Sequence, residues 1–279
     1  MLFSAPLTLD DIRSTLATKS LGQHLHLHQE LASTNSEALL LAQAGTPHGT
    51  VVVAERQSAG RGRRERHWYS PPNANLYCSI VVRGIGPVLT LPEWLSWVPL
   101  VSALAVAEAV QTRASLSLSL KWPNDLLFQE RKVGGILCES VQISSDSPIV
   151  VIGIGLNVNM TTDSFPEDLR QTATSLYEIS HMSIDRSTMI AQLLLELERS
   201  LDELQRYGPD QLRRAYASRC QTIGRRVRLL LGHEQELLGT AESIGADGAL
   251  QIRPSIISSE GQRPALLDIR AAEVIHLRE

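Results

Sequence analysis

Cysteine is scarce in this sequence, and the three cysteines lie far apart in the chain, at Cys78, Cys138 and Cys220. Their number is odd and no CxxC pair occurs, so the sequence indicates neither a disulfide framework nor a zinc site. The chain also begins without the charged and apolar segments of a secretory signal, and no apolar run reaches the length of a membrane span. We therefore expect a protein of the reducing cytoplasm that has no membrane partner.

Net positive charge and aromatic residues are lacking as well. The formal net charge is −4 at pH 7 and aromatic residues make up 4 % of the sequence, which argues against a nucleic-acid partner. Hydrophobic residues make up 43 % of the 279 residues, which is enough for a packed core and excludes a largely disordered chain. A chain of this length forms one large domain, or a large domain and a small one.

Lysine is nearly absent, because only Lys19, Lys121 and Lys132 are lysines among the 26 basic residues. A genome biased toward arginine codons would explain the preference. Where arginine is preferred almost everywhere, a remaining lysine is still a candidate for a role that arginine cannot fill. Two of the three lie in one short segment, KWPNDLLFQERKVGG, which is therefore a candidate site.

The hydrophobic periodicity predicts a mixed sheet with helices, followed by a small β module. The predicted helices cover residues 33–45, 91–110, 187–206 and 209–219, and the predicted strands cover 50–55, 75–82, 116–121 and 149–159, with a hairpin over 126–141. After about residue 222 the sequence contains short strands separated by glycine or proline, and no helix signal. We expect an α+β fold with one domain over residues 1–222 and a second over 223–279.

The segment GRGRR at residues 60–64, with Trp68 close behind it, carries the strongest local signal. Five arginines and two glutamates lie between residues 55 and 66, so positive charge is concentrated there in an otherwise acidic chain. Glycine allows a backbone to approach a ligand closely, and arginine suits phosphate and carboxylate. The pattern predicts a loop that binds an anion. A solvated charged turn and an RNA-contacting patch remain open as alternatives.

The segment KWPND brings Lys121, Asn124 and Asp125 together, and Lys132 follows in KVGG. A lysine places a compact positive charge near a phosphate or carboxylate, and the glycines ending at Gly135 permit close approach. An ordinary turn explains the first segment equally well, and a surface hairpin lysine explains the second.

Three other features have simpler explanations. Asn157 ends an apolar strand in GIGLNVN, which is not a dinucleotide fingerprint because no helix follows. His24, His26 and His28 alternate, which is typical of a solvated strand face more than of a metal site. Cys138 lies in an apolar strand and is expected in the core.

These motifs occur together, in one order, in biotin protein ligases. The chain resembles that family through STN at 33–35, GRGRR with Trp68, NANLY at 73–77, KWPND at 121–125, KVGG at 132–135 and GIGLN at 153–157. The resemblance implies a catalytic domain of lipoate-ligase type and an SH3-like C-terminal β-barrel. It also implies a reaction in which biotin and ATP form biotinyl-5'-AMP, from which a lysine of a biotin carboxyl carrier protein takes the biotin.

The resemblance also implies a role for each matching residue. The expected biotin-binding residues are Ser33, Thr34, Asn35, Gln57, Gly60, Arg61, Gly62, Arg63, Lys132 and Gly135. The expected ATP-binding residues are Arg63, Arg64, Trp68, Lys121, Asn124, Lys132 and Asn157. Lys132, Arg63 and Asp125 are expected to act in catalysis, with Asp125 orienting the carrier lysine. Mg²⁺ is expected to arrive with ATP, and no protein metal site is expected.

The sequence departs from the family pattern at Glu65, where glycine is frequent in the family, which predicts a stiffer or less charged loop. About 30 residues precede the STN motif, so we expect a monofunctional ligase without an N-terminal DNA-binding domain. The carrier subunit of acetyl-CoA carboxylase is the expected partner, and a homodimer through sheet edges is possible. A lipoate or octanoate ligase of the same fold, or a non-enzymatic RNA-binding module, are the alternatives.

Overall fold

Two β-sheets form the framework of the protein, as the predicted α+β class requires. The computed structural model describes residues 5–84, 89–142, 148–231, 235–255 and 264–277. The first sheet contains β1 (Leu25–Leu31), β2 (Val51–Gln57), β3 (Leu76–Arg83), β4 (Ser119–Lys121), β5 (Asp125–Phe128), β6 (Arg131–Gln142) and β7 (Pro148–Leu156). The second contains β8 (Arg226–Leu231), β9 (Gln235–Ile244), β10 (Leu250–Pro254), β11 (Leu267–Ile269) and β12 (Glu273–His276).

The first sheet is mixed and has the strand order β1-β2-β3-β7-β6-β5-β4. β1 is parallel to β2, and the remaining neighbours are antiparallel. The described helices are α1 (Leu9–Thr15), α2 (Thr34–Gln43), α3 (Leu91–Ala114), α4 (Leu176–Ser180), α5 (Arg186–Tyr207) and α6 (Asp210–Arg219). β7 is central, as its apolar run predicts, because α2 packs on one face of the sheet and α3 on the other.

The long helix α3 packs against the first sheet and lies largely in the hydrophobic core. Thr90 and Glu93 form a capping box at its start, and Ser115 ends it in the left-handed conformation. The helix is long and apolar enough to cross a membrane, contrary to the expectation that no segment reaches that length. Within the protein, 67 % of its most apolar window is buried, since the helix packs against the sheet and α5. It is therefore a core helix that resembles a membrane-spanning helix only in its length and composition.

Small residues face one another across the centre of the first sheet. Gly155 on β7 pairs with Gly135 on β6. Two residues earlier, Gly153 pairs with Ser79 on β3. Absent or short side chains at these positions leave a depression on the sheet surface, which becomes the floor of the site described below.

The second sheet is antiparallel, with the order β11-β10-β9-β8-β12. Two buried indoles attach it to the rest of the protein. Trp97 on α3 donates a hydrogen bond to the carbonyl of Ala246 (2.8 Å), and Trp122 donates to the carbonyl of Gly248 (3.3 Å). Both acceptors lie in the turn between β9 and β10, so this turn is held against α3 and the segment that follows β4.

Some predicted boundaries differ from the structure. The strand expected over 116–121 is formed only at Ser119–Lys121, and the helix expected to end at residue 110 continues to Ala114. The predicted hairpin is present, with Gln129 at a φ of 56° in its turn. Turn geometry of this kind depends on tertiary contacts that periodicity does not report.

Candidate functional site

A cavity of about 1160 Å³ lies between the floor of the first sheet, the loop of residues 60–68 and the start of β12. We call residues 60–68 the arginine loop. The predicted site residues that line this cavity are Ser33, Thr34, Asn35, Gln57, Arg61, Gly62, Arg63, Arg64, Trp68, Lys121, Asn124, Asp125, Lys132, Gly135 and Asn157. Gly60 lies beside it, where a Cβ would be 2.5 Å from the carbonyl oxygen of Trp68.

One end of the cavity is lined by neutral polar groups that hydrogen-bond to one another. The backbone N–H of Thr34 donates to Gln57 Oε1 (2.8 Å), and the Gln57 amide donates to Ser70 Oγ (3.0 Å). The hydroxyl of Ser79 lies 2.8 Å from Thr34 Oγ1 and 2.6 Å from Asn35 Oδ1. Ser33 is the N-cap residue of α2, but its side chain makes no capping bond. Mutual hydrogen bonds fix these orientations and suit a small neutral polar ligand.

A carboxylate that was not predicted from the sequence lies behind this end of the cavity, outside its lining. Glu139 Oε2 accepts from Asn35 Nδ2 (2.7 Å) and from Arg61 Nη2 (2.8 Å). Gly153 makes the position of Asn35 possible, because a Cβ there would lie 2.0 Å from Asn35 Oδ1. The available signal was a single acidic residue within an apolar strand. Glu139 thus joins the neutral end of the cavity to the arginine loop.

The arginine loop adopts a backbone conformation that is costly for its residues. Arg64 and Glu65 have φ values of 55° and 59°, in the left-handed region. Each such non-glycine residue costs about 1 kcal/mol. A glycine at position 65 would adopt this φ freely, so Glu65 makes the observed loop conformation more costly than glycine would, and the stiffer loop expected from the sequence stays a prediction.

Three arginines of the loop are paired with carboxylates. Arg61 pairs with Glu139, and both Arg64 (3.1 Å) and Arg66 pair with Glu273 at the start of β12. Burial would raise the pKa of Glu273, but the facing guanidinium groups outweigh it and lower that pKa. Sequence reasoning did not identify Glu273, which lies more than 200 residues from the loop.

Arg63 differs from the other arginines of the loop. It donates to Asn124 Oδ1 (3.1 Å) and to the carbonyl of Ala272 (3.5 Å), and it forms no ion pair with a carboxylate among the residues described. Burial lowers the pKa of Arg63, and the negative charge of Asp125 opposes that effect. The guanidinium stays charged at any ordinary pH, so Arg63 offers the cavity a partly desolvated cation.

Trp68 lies across the floor of the cavity. A Cβ on Gly155 would lie 2.6 Å from its ring, so only glycine permits this contact. Lys132 Nζ lies 5.3 Å from the ring centroid, in the range of a cation–π contact. The indole N–H is buried and has no hydrogen-bond partner in the described part of the chain. A flat aromatic face with a free donor suits a planar heterocycle.

The two lysines of the site are in different electrostatic states. Lys132 Nζ lies 2.6 Å from Asp125 Oδ1. Lys121 forms no ion pair within the described ranges; burial lowers its pKa, and the nearby Asp125 partly offsets this. Lys121 and Arg63 are therefore half-buried cations without a carboxylate bonded to them, as expected of groups that receive an anion.

The two predicted asparagines are held by backbone carbonyls. Asn124 donates to Ile136 (2.9 Å) while its oxygen accepts from Arg63, and Asn157 donates to Thr174 (3.0 Å). Both line the cavity, but their amide N–H groups are already used in part. The structure therefore supports a positioning role for both residues at least as well as direct contact with a ligand.

A histidine that was not predicted lies at the rim of the cavity. His276 on β12 contacts Thr222 Oγ1 (3.1 Å) and Arg225 Nη1 (3.3 Å), and Arg225 pairs with Glu130 (2.8 Å). Burial, with the charges of Lys121 and Arg225, lowers the pKa of His276 from 6.5 to about 4. His276 is therefore neutral at physiological pH and accepts a hydrogen bond from Arg225.

The histidines of β1 fit a solvated strand face only in part, because His28 is half-buried and its Nε2 is buried without a hydrogen-bond partner among the described residues. His26 is exposed and His24 precedes β1. Cys138 packs against the core, and burial raises the pKa of its thiol to about 12. Over the described residues, no group of three or more His, Cys, Asp or Glu side chains is arranged to hold a metal ion.

The sequence of this chain is similar to those of known ligases. Residues 29–157 match the biotin/lipoate A/B protein ligase family. The biotin--[acetyl-CoA-carboxylase] ligase of Mycobacterium tuberculosis is 34 % identical over 278 residues, 98 % of this chain and 97 % of that protein. The bifunctional ligase/repressor BirA of Bacillus subtilis is 35 % identical over 222 residues, 80 % of this chain and 67 % of that protein.

A solved structure extends the similarity to the fold. The biotin protein ligase from Aquifex aeolicus in complex with biotin and ATP matches with a TM-score of 0.74 and 31 % sequence identity. The match covers 92 % of this chain and 100 % of that chain, so it includes both sheets.

Proposed function

Because this chain belongs to the biotin/lipoate A/B protein ligase family, we infer that it is an ATP-dependent biotin protein ligase. It attaches biotin to a lysine of a biotin carboxyl carrier protein, the subunit of acetyl-CoA carboxylase, through biotinyl-5'-AMP. The observation that carries this inference is the division of one cavity into a neutral hydrogen-bonding end and a cationic end. Biotin has a neutral ureido ring and a carboxylate, and ATP is an anion with a planar base.

We propose that the neutral end holds biotin. Thr34, Asn35 and Gln57 have fixed donors and acceptors there, and Ser33 also lines the cavity. Gly135 lies beside Lys132, where it leaves room for the rest of the biotin molecule. The biotin carboxylate then points toward Lys132 and toward Arg61 and Gly62 of the arginine loop, both of which line the cavity. Hydrogen bonds that are already oriented lose little conformational entropy on binding, which favours recognition of the ureido ring.

In the first step, an oxygen of the biotin carboxylate attacks the α-phosphorus of ATP, and the bond to pyrophosphate breaks. Two anions must approach one another, so the site needs cations where charge accumulates. We propose that Lys132, Arg63 and Lys121 supply them, with Arg64 nearby and Trp68 packing on adenine. Asn124 and Asn157 position the nucleotide. Removing one such preorganised group typically costs about 3 kcal/mol of transition-state stabilisation.

In the second step, the amine of the carrier lysine attacks the acyl carbon of the mixed anhydride. The acyl–oxygen bond breaks, AMP leaves with the electron pair, and the amine loses a proton. We propose that Asp125 orients this lysine. Its 2.6 Å ion pair with Lys132 supports the role, because the carboxylate already binds an ammonium group beside the site of acyl transfer.

Several accompanying features are part of the same proposal. Mg²⁺ enters with the phosphates of ATP, whose negative charge it neutralises. The chain divides near residue 222, which places the second sheet in a separate C-terminal domain. The three free cysteines are consistent with the cytoplasm. The edge strand β1 could pair with a second copy in a homodimer, which sedimentation would detect.

The alternatives are disfavoured by specific observations. A lipoate or octanoate ligase shares the fold, but the relatives over nearly the full chain are biotin ligases, and here the arginine loop and KWPND contact each other through Arg63 and Asn124. An RNA-binding module would present its arginines on an open surface. In this protein the loop covers a cavity, and three of its four arginines are paired with carboxylates.

The decisive experiment is biotin-dependent release of pyrophosphate from MgATP. Lys132→Ala and Arg63→Ala should each reduce the rate at least 100-fold, corresponding to about 3 kcal/mol. Lys19→Ala, which removes an exposed lysine outside the cavity, is the matched control and should leave the rate unchanged. Normal turnover in both cavity variants would refute the site. Thermal stabilisation by biotin, increased by ATP, would support the substrates, whereas stabilisation by RNA alone would refute them.

A further inference from the structure

The carboxylate of Glu273 connects the second sheet to the arginine loop. Glu273 Oε2 lies 3.1 Å from Arg64 Nη1, and Oε1 accepts a hydrogen bond from Arg66. Arg64 also donates to the carbonyl of Leu230 (2.7 Å), the residue paired with Glu273 across β8 and β12. One glutamate and its strand neighbour thus hold two loop arginines at the edge of the cavity.

The arginine loop needs support from outside itself. Its own backbone bonds are few, among them Gly62 N–H to the Arg66 carbonyl (2.7 Å). Arg64 and Glu65 adopt left-handed dihedrals, which persist only where surrounding contacts hold them. Glu273 supports the half of the loop that contains both strained residues, and Glu139 supports the other half through Arg61.

We propose that Glu273 is a positioning residue that keeps the arginine loop closed over the cavity and so retains the acyl-adenylate until the carrier lysine arrives. This rests on the proposed function. If the loop opened, the adenylate would leave the cavity, and any amine in solution could attack its acyl carbon while AMP departs with the electron pair. Loop closure is a common means of protecting a reactive intermediate.

Glu273 is better suited to test this role than Glu139. Glu139 also accepts a hydrogen bond from Asn35, so changing it disturbs the neutral end of the cavity. Among the described residues, the hydrogen-bonding and ion-pair partners of the Glu273 side chain are Arg64 and Arg66. Backbone hydrogen bonds between β8 and β12 stay intact when its charge is removed, so Glu273→Gln should leave the sheet folded.

The experiment measures how fast the adenylate escapes. Each protein is loaded with radiolabelled biotin and MgATP, with pyrophosphatase present, and escape is followed by trapping with hydroxylamine in the absence of carrier. Glu273→Gln should release the adenylate about tenfold faster than the wild type, the loss expected from two partly exposed ion pairs. Glu236→Gln is the matched control, because Glu236 is in the same sheet and its ion pair is with Arg228 (3.7 Å) and not with an arginine of the loop.

Two further variants separate positioning from general destabilisation. Arg66→Gln, at an exposed loop residue, should raise the release rate in the same direction even if Glu273→Gln folds poorly. The double variant should release no faster than Glu273→Gln alone, because both act through one contact. Glu273→Asp should restore part of the retention.

Opposite results would overturn the inference. If Glu273→Gln and Arg66→Gln release pyrophosphate normally and retain the adenylate as well as the wild type does, the role of Glu273 is refuted and the proposed function still stands. Absence of biotin-dependent pyrophosphate release in the wild type would overturn the proposed function as well.

Discussion

The indole of Trp68 rests on Gly155, at a distance that leaves no room for a side chain at position 155. A Cβ there would lie 2.6 Å from Cε2 of the ring and 2.8 Å from Nε1. Gly155 is held by β3 on one side and β6 on the other, so the strand cannot yield. The position of the aromatic platform is therefore set by a glycine on another strand.

Gly155→Ala should displace Trp68 and weaken ATP binding. Overpacking of this kind costs about 1–3 kcal/mol, so the KM for ATP should rise on the order of tenfold or more while biotin binding changes less. Adding Trp68→Phe, with a smaller ring, should lower the KM again relative to Gly155→Ala alone. Unchanged ATP saturation in Gly155→Ala would show that Trp68 does not contact the nucleotide.

The buried ion pair of Glu55 and Arg186 should be essential for stability. Its atoms approach to 2.6 Å, and both side chains are 1 % exposed. Arg186→Met leaves the Glu55 carboxylate buried without its cation, which costs about 3–5 kcal/mol. Arg206→Met breaks an exposed helix pair with Asp202 and should cost less than about 1 kcal/mol. Urea unfolding of both variants measures the difference, and equal midpoints would contradict it.

Stability should fall as the pH decreases from about 6.5 toward 4, in part through His276. Its pKa is about 4 in the folded protein and 6.5 ordinarily, so between these values the unfolded chain binds more protons. The contribution is complete above pH 6.5 and is lost as pH falls to 4. His276→Gln should flatten this dependence of the unfolding free energy. Identical pH profiles for wild type and variant would count against the neutral, buried state of His276.

The scarcity of lysine predicts weak modification of the enzyme by its own product. Lys132 is ion-paired, Lys121 is half-buried and Lys19 is exposed. Since an acyl-adenylate acylates amines, incubation with biotin and MgATP should label this chain weakly. An added lysine-rich protein is the control that shows whether adenylate is released. Heavy labelling at Lys19, measured by mass spectrometry, would contradict the expectation.

Periodicity and motif order were sufficient for much of the fold. The run that became β7 is apolar at every non-glycine position, which is possible only where both faces of a strand are covered. α3 was recognised for the same reason. Its membrane-like composition does not show as an uninterrupted apolar run, because the helix includes scattered polar residues such as Glu108.

The residues that bind one another across long sequence separations were not recognised. Glu139 lies 78 residues from Arg61, and Glu273 lies 209 residues from Arg64. No local pattern marks either glutamate, because an acidic residue in a strand is ordinarily solvated. His276 was missed for the same reason, since its low pKa arises first from burial and then from the charges of Lys121 and Arg225, and only the folded chain supplies these.

In the arginine loop, some properties follow from the sequence alone and others depend on the tertiary structure. Its composition alone determined that positive charge and backbone freedom are concentrated at residues 60–66, because these are properties of the side chains themselves. Only the tertiary structure decided which arginines are paired and that Arg63 points into the cavity without a carboxylate. Electrostatic pairing depends on distance and burial, and those follow from strands that meet in space while remaining far apart in the chain.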